Sequence, residues 1–71
     1  MTAQYDWRPE HGHTILVADW MGEMRARKSW YSWKQARIDS GTWTPEESRR
    51  WRLDICRIGS GLAVRVIDTT L

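Results

Sequence analysis

The sequence contains no Phe, a single Cys, two Pro, and no apolar run approaching the roughly 18 residues that a membrane span needs. Each shortage excludes something. Cys56 cannot close an intramolecular disulfide, and the amino terminus does not read as a signal peptide, so the expected setting is a reducing cytoplasm with no membrane attachment. With no His near it in sequence, Cys56 reads as a small core residue rather than a nucleophile. The only histidines are His11 and His13, and structural zinc needs four converging ligands, so neither a metal nor any other cofactor is expected. Gly59-Ser60-Gly61-Leu62 leads into a strand rather than a helix, the wrong order for a loop that cradles phosphate. A catalytic pair would have to draw on histidines in the least ordered part of the chain, whereas catalysis requires rigid placement. The expectation is a protein that is not an enzyme and takes no small-molecule substrate.

What the chain has instead is tryptophan, six in 71 residues. A domain this small buries only about 60% of its unfolded surface, so its core must be dense in large side chains. Each buried Trp removes roughly 150 to 250 Å² from water, and most of the six are expected in the core. The stretch from Ser29 to Arg57, with four of them, reads as two consecutive helices that organise the fold.

Residues 1–12 hold Tyr5, Trp7 and Pro9 among polar residues without periodicity, and read as an extended N-terminal arm, frayed or used for recognition. Residues 13–71 form the single domain. His13 to Trp20, with the β-branched run Thr14-Ile15-Leu16-Val17, reads as a strand, and Met21-Gly22 as a turn. Glu23 to Ser29 alternates Met24, Ala26 and Lys28 with Arg25 and Arg27, which suits a returning strand with a basic outer face; a continuous helix from Ala18 is the rival, since these residues are good helix formers. Trp30, Trp33 and Arg37 then carry a helical pattern ending at Asp39-Ser40-Gly41. Thr44-Pro45-Glu46-Glu47 is a capping signature that starts a second helix at Pro45. Trp51, Ile55 and Ile58 fall at helical spacing and extend it to Gly59, with Asp54 in reach of Arg50 and Arg57. Leu62 to Ile67 is a strand that pairs with His13 to Trp20. The expected fold class is α+β: a small antiparallel sheet from both chain ends packed against two short helices. Trp33, Trp51, Ile55, Ile58, Leu16, Val64 and Val66 are the expected core.

Charge is uneven. Residues 1–24 carry Arg8 against four acidic side chains, a net of −3, whereas residues 25–57 carry nine Lys/Arg against four, a net of +5. Two binding functions follow. A basic surface with exposed Trp30 or Tyr31 can hold nucleic acid, though Glu46 and Glu47 sit where a recognition helix would meet it. Alternatively, Trp, Tyr and Arg are enriched in protein interfaces, and a domain of this size can offer the standard share of about 800 Å².

The run Lys28-Ser29-Trp30-Tyr31-Ser32-Trp33-Lys34, the segment Thr42-Trp43-Thr44-Pro45-Glu46-Glu47 and the Arg-rich stretch after it resemble the small early proteins by which tailed bacteriophages regulate their host's RNA polymerase. The resemblance spans the chain and assigns no residue a role. It implies a factor in the host bacterial cytoplasm that contacts the large β′ subunit of bacterial RNA polymerase, interferes with σ-dependent initiation and suppresses termination. Protein docking is therefore the expected function and nucleic-acid binding the alternative. The expected contacts are Tyr5 and Trp7 in the arm, Arg25, Arg27 and Lys28 on the basic strand, and Trp30. On this division Trp51→Ala unfolds the domain and Trp7→Ala leaves it folded.

Overall fold

Strands from opposite ends of the chain share one sheet. The computed structural model describes residues 5–71; the first four residues of the expected arm lie outside the described residues. The elements are β1 (Thr14–Val17), α1 (Trp20–Asp39), α2 (Pro45–Arg50), β2 (Trp51–Ile58) and β3 (Gly61–Asp68). The sheet is antiparallel with order β1-β3-β2, so the fold is α+β and β1 pairs with β3. Leu16 and Ala63 face each other in one ladder, Ile55 and Val64 in the other.

Two local expectations are corrected. Glu23 to Ser29 is not a strand but part of the 20-residue α1, so the first helix is long rather than short. Asp19 caps it, its Oδ1 accepting from the Gly22 amide at 2.9 Å, and Glu23 pairs with Arg27 four residues on. Gly22 is not a turn. It sits in the first turn of α1, where an added Cβ would meet the Cβ of Val17 at 3.0 Å, so its missing side chain lets the helix approach β1.

The second correction falls at Trp51. Thr44 does cap α2, accepting from the Glu47 amide at 3.2 Å with Pro45 in the first turn, but the helix lasts six residues and the chain turns extended at Trp51. A separation of four, as between Trp51 and Ile55, fits a helix and a strand equally. Leu53 decides between them: it lies between the two on one face of a strand, and pairing with β3 along eight residues then outweighs the continuing helix. Asp54 consequently leaves Arg50, which binds Glu47 and Asp68 instead.

The arm joins the domain through a bulge. The His13 amide donates to Glu10 O at 3.1 Å, closing a turn, while Gly12 N donates to Val66 O and Val66 N donates to His13 O, both at 2.8 Å. Two residues thus oppose one, and Gly12 takes φ +90°, the conformation such a bulge requires of its first residue. The bulge turns residues 5–9 back over α1, where Trp7 Nε1 donates to Ser29 Oγ at 2.9 Å. Gly12→Ala should cost about 1–2 kcal/mol from backbone strain alone, since nothing crowds an added Cβ there. Urea unfolding with an unchanged m-value is the measurement.

Between α1 and the sheet lies a continuous aromatic ladder. Ring centroids are 5.8 Å apart for Tyr5 and Trp7, 5.1 Å for Trp7 and Trp30, 5.2 Å for Trp30 and Trp33, 5.2 Å for Trp33 and Trp43, and 6.4 Å for Trp43 and Trp51. All are within the range of favourable aromatic pairs. Ala26, Val64 and Val66, fully buried, complete the centre. Of the expected core, Trp51, Val64 and Val66 are buried, and Trp33 and Ile55 are packed against them. Leu16 and Ile58 are exposed instead, because strand alternation turns them to the sheet face that no helix covers.

Candidate docking surface

Ala26 and Trp30 set the inward direction of α1. Opposite them, at spacings of four, four and three, stand Trp20, Met24, Lys28 and Tyr31, with Met21 and Arg25 alongside. Trp20 is 64% exposed, Met24 58% and Tyr31 63%. Trp20, Met21, Met24, Arg25 and Lys28 line a shallow depression of about 330 Å³. The helix is therefore apolar on two opposite sides, one used by the core and one presented to solvent. Neither Arg25 nor Lys28 forms an ion pair among the described residues. The surface combines an aromatic and thioether centre with a cationic rim, a composition enriched in protein interfaces.

Of the contacts expected from sequence, Arg25 and Lys28 lie here. Arg27 lies on the flank of α1, its Nε bonded to Glu23 at 2.8 Å. Trp7 and Trp30, expected to be exposed, are interior at 6% and 1% exposure, because each is a rung of the ladder. Tyr5 is half-buried against Trp7. Trp20, Met21, Met24 and Tyr31 were missed as a group because reading Trp20 as a strand end broke their helical spacing; the signal was Trp20, Met24 and Tyr31 along one uninterrupted helix.

Of the nine Lys/Arg at residues 25–57, five are engaged by side chains or backbone of this chain. The Arg37 guanidinium packs against both Trp33 and Trp43, 4.9 and 4.7 Å from the ring centroids, Lys34 stands over Trp30 at 5.5 Å and Arg50 over Trp51 at 5.0 Å. Lys34 also donates to Trp51 O at 2.8 Å, and partial burial pushes its ammonium pKa below the ordinary lysine value. Arg27, Arg49 and Arg50 are in ion pairs. A second depression, of about 380 Å³, runs between α1 and β2 beside Arg27, Tyr31, Lys34 and Arg49.

Both histidines hold backbone: His11 Nδ1 accepts from the Asp68 amide at 3.0 Å, and His13 Nε2 lies 2.7 Å from Asp6 O. Among the described residues no three His, Cys, Asp or Glu side chains are grouped to hold a metal ion, and no helix is long and apolar enough to cross a membrane. Comparison with family models, with curated proteins and with solved structures finds no match to this chain.

Proposed function

We propose that this chain is a non-enzymatic regulatory protein that works by docking on a larger protein through the solvent face of α1. One observation carries the reading: five of the six tryptophans form the interior ladder, while the sixth, Trp20, stands exposed among Met21, Met24 and Tyr31 with unpaired Arg25 and Lys28 beside it. Large apolar side chains gathered at one place mark an interaction site more often than scattered ones do. The partner surface that complements this patch has an apolar recess flanked by carboxylates. From the resemblance of the whole chain to phage regulators, we assign bacterial RNA polymerase, through its large subunit, as the partner. Inhibition of initiation, with suppression of termination, is the assigned effect. Direct nucleic-acid binding has less support: of the two expected stacking residues Trp30 is buried and only Tyr31 is exposed, and five of the nine cations at residues 25–57 already have partners.

The test is retention of RNA polymerase from nuclease-treated bacterial extract by the immobilised protein and by its Trp20→Ala and Met24→Ala variants. The wild-type chain should retain polymerase stoichiometrically, and each variant should weaken binding on the order of tenfold while changing stability by less than about 0.5 kcal/mol. Undiminished retention by both variants would remove the α1 face from the reading. Recovery of nucleic acid alone, lost steeply with added salt, would overturn docking altogether.

A further inference from the structure

β2 is an edge strand eight residues long, and its hydrogen-bonding directions are fixed by one bond. Thr69 N donates to Arg50 O at 2.8 Å, and continuing that register along the antiparallel pair makes Arg52, Asp54 and Cys56 exchange bonds with β3. The N–H and C=O of Trp51, Leu53, Ile55 and Arg57 are then directed off the free edge. At Trp51 both are satisfied locally: its amide donates to Ser48 O, and its carbonyl accepts from Lys34 Nζ. At Leu53, Ile55 and Arg57 they have no partner in the sheet. Beside this edge runs the depression walled by Arg27, Tyr31 and Lys34 of α1 and Arg49 of α2.

We infer that the free edge of β2 accepts an extended, acidic protein segment as a fourth strand. Unpaired ladder groups in a row are a template for strand addition, and long edges without such a role are normally covered or interrupted. Charge selects the occupant. The lining of this depression holds Arg27, Lys34, Arg49 and Arg52 and no carboxylate. A second copy of β2 would bring two such walls together, whereas a segment alternating carboxylate and apolar residues would set its carboxylates against them, replacing the solvent-accessible pairs of Arg27 with Glu23 and Arg49 with Glu46, and its backbone against Leu53, Ile55 and Arg57. This site shares Tyr31 with the solvent face of α1 but none of Trp20, Met21, Met24, Arg25 or Lys28, and it does not depend on the docking assigned to that face.

The probe is the blocked hexapeptide Glu-Val-Glu-Val-Glu-Val, compared with its Lys-Val counterpart and with a thymidine oligonucleotide, followed by amide hydrogen exchange and NMR shifts. The acidic peptide should slow exchange at Leu53, Ile55 and Arg57 by roughly tenfold or more and the Lys-Val peptide should not. Arg27→Gln and Arg49→Gln should each weaken it several-fold, whereas Trp20→Ala should leave it unchanged. Equal protection by both peptides, no protection at those three amides, or tighter binding of the oligonucleotide without edge protection would overturn the inference.

Discussion

Trp30→Ala is expected to leave no cooperative thermal transition near the wild-type melting temperature. Trp30 is 1% exposed, lies edge-on to Trp7 and stacked on Trp33, and carries the Lys34 ammonium over its ring. Removing a buried indole costs about 3–5 kcal/mol, against a total stability of about 5 kcal/mol or little more for a domain of this size. That corresponds to a fall in melting temperature of roughly 15 °C or more, read by far-ultraviolet circular dichroism. Trp7→Ala should behave similarly, since Trp7 is 6% exposed, packs on Trp30 and is anchored to Ser29. Of the division drawn from sequence, Trp51 is buried as expected, whereas Trp7 is buried to the same extent rather than exposed on an arm. If Trp30→Ala or Trp7→Ala melts like the wild type and loses only partner binding, the ladder is not what holds the two layers together.

Asp68 supplies the second large effect. Its carboxylate accepts Arg50 Nε at 2.9 Å and Nη2 at 2.8 Å, then Thr70 Oγ1 at 2.6 Å and Thr70 N at 3.0 Å, while its own amide donates to His11. The Arg50 hydrogen bonds, followed by those of Thr70, hold its pKa well below the usual carboxylate range. Because the native pKa is depressed, the unfolded chain binds the proton more tightly. The stabilisation is therefore complete above the ordinary carboxylate pKa of about 4 and is lost as the pH falls below that value towards the native one. Asp68→Asn should lower the melting temperature at neutral pH by more than any substitution of an exposed carboxylate such as Asp54. It should also remove the part of the acid sensitivity that Asp68 carries. Melting temperatures from pH 7 down to pH 2 for wild type and variant should converge at the acid end. Parallel curves would show that the Asp68 charge contributes nothing to the fold.

The fold class was legible because its signals are local and strong. Thr44-Pro45 followed by Glu46-Glu47 is a strong helix-start signal, and the short runs at 14–17 and 62–67, rich in β-branched residues and the second bounded by Gly, favour strands. The errors fall where a local pattern is shared by two structures. Gly22 is as good a turn as it is a gap between helix and strand, and only the position of Val17 distinguishes them. Trp51 and Ile55 fit both periods, and the decision rests with β3, distant in sequence. Of the candidate surface, Arg25 and Lys28 were visible as unbalanced charge, whereas the exposure of Trp20 and the burial of Trp30 depend on which side of α1 meets the sheet. That orientation is set by Ala26, Trp30 and the returning Trp7 together.

The sheet order also constrains how the molecule is made. β3 is central although it follows every other element in the chain, and both β1 and β2 pair only with it. During vectorial synthesis neither edge strand has its sheet neighbour until residues 61–68 have emerged, so none of the strand pairing of the native sheet can form before then. Until β3 is available β1 and β2 have both edges unpaired, and its insertion between them closes one edge of each, leaving the free edge of β2 as the part of that exposure which persists in the folded molecule.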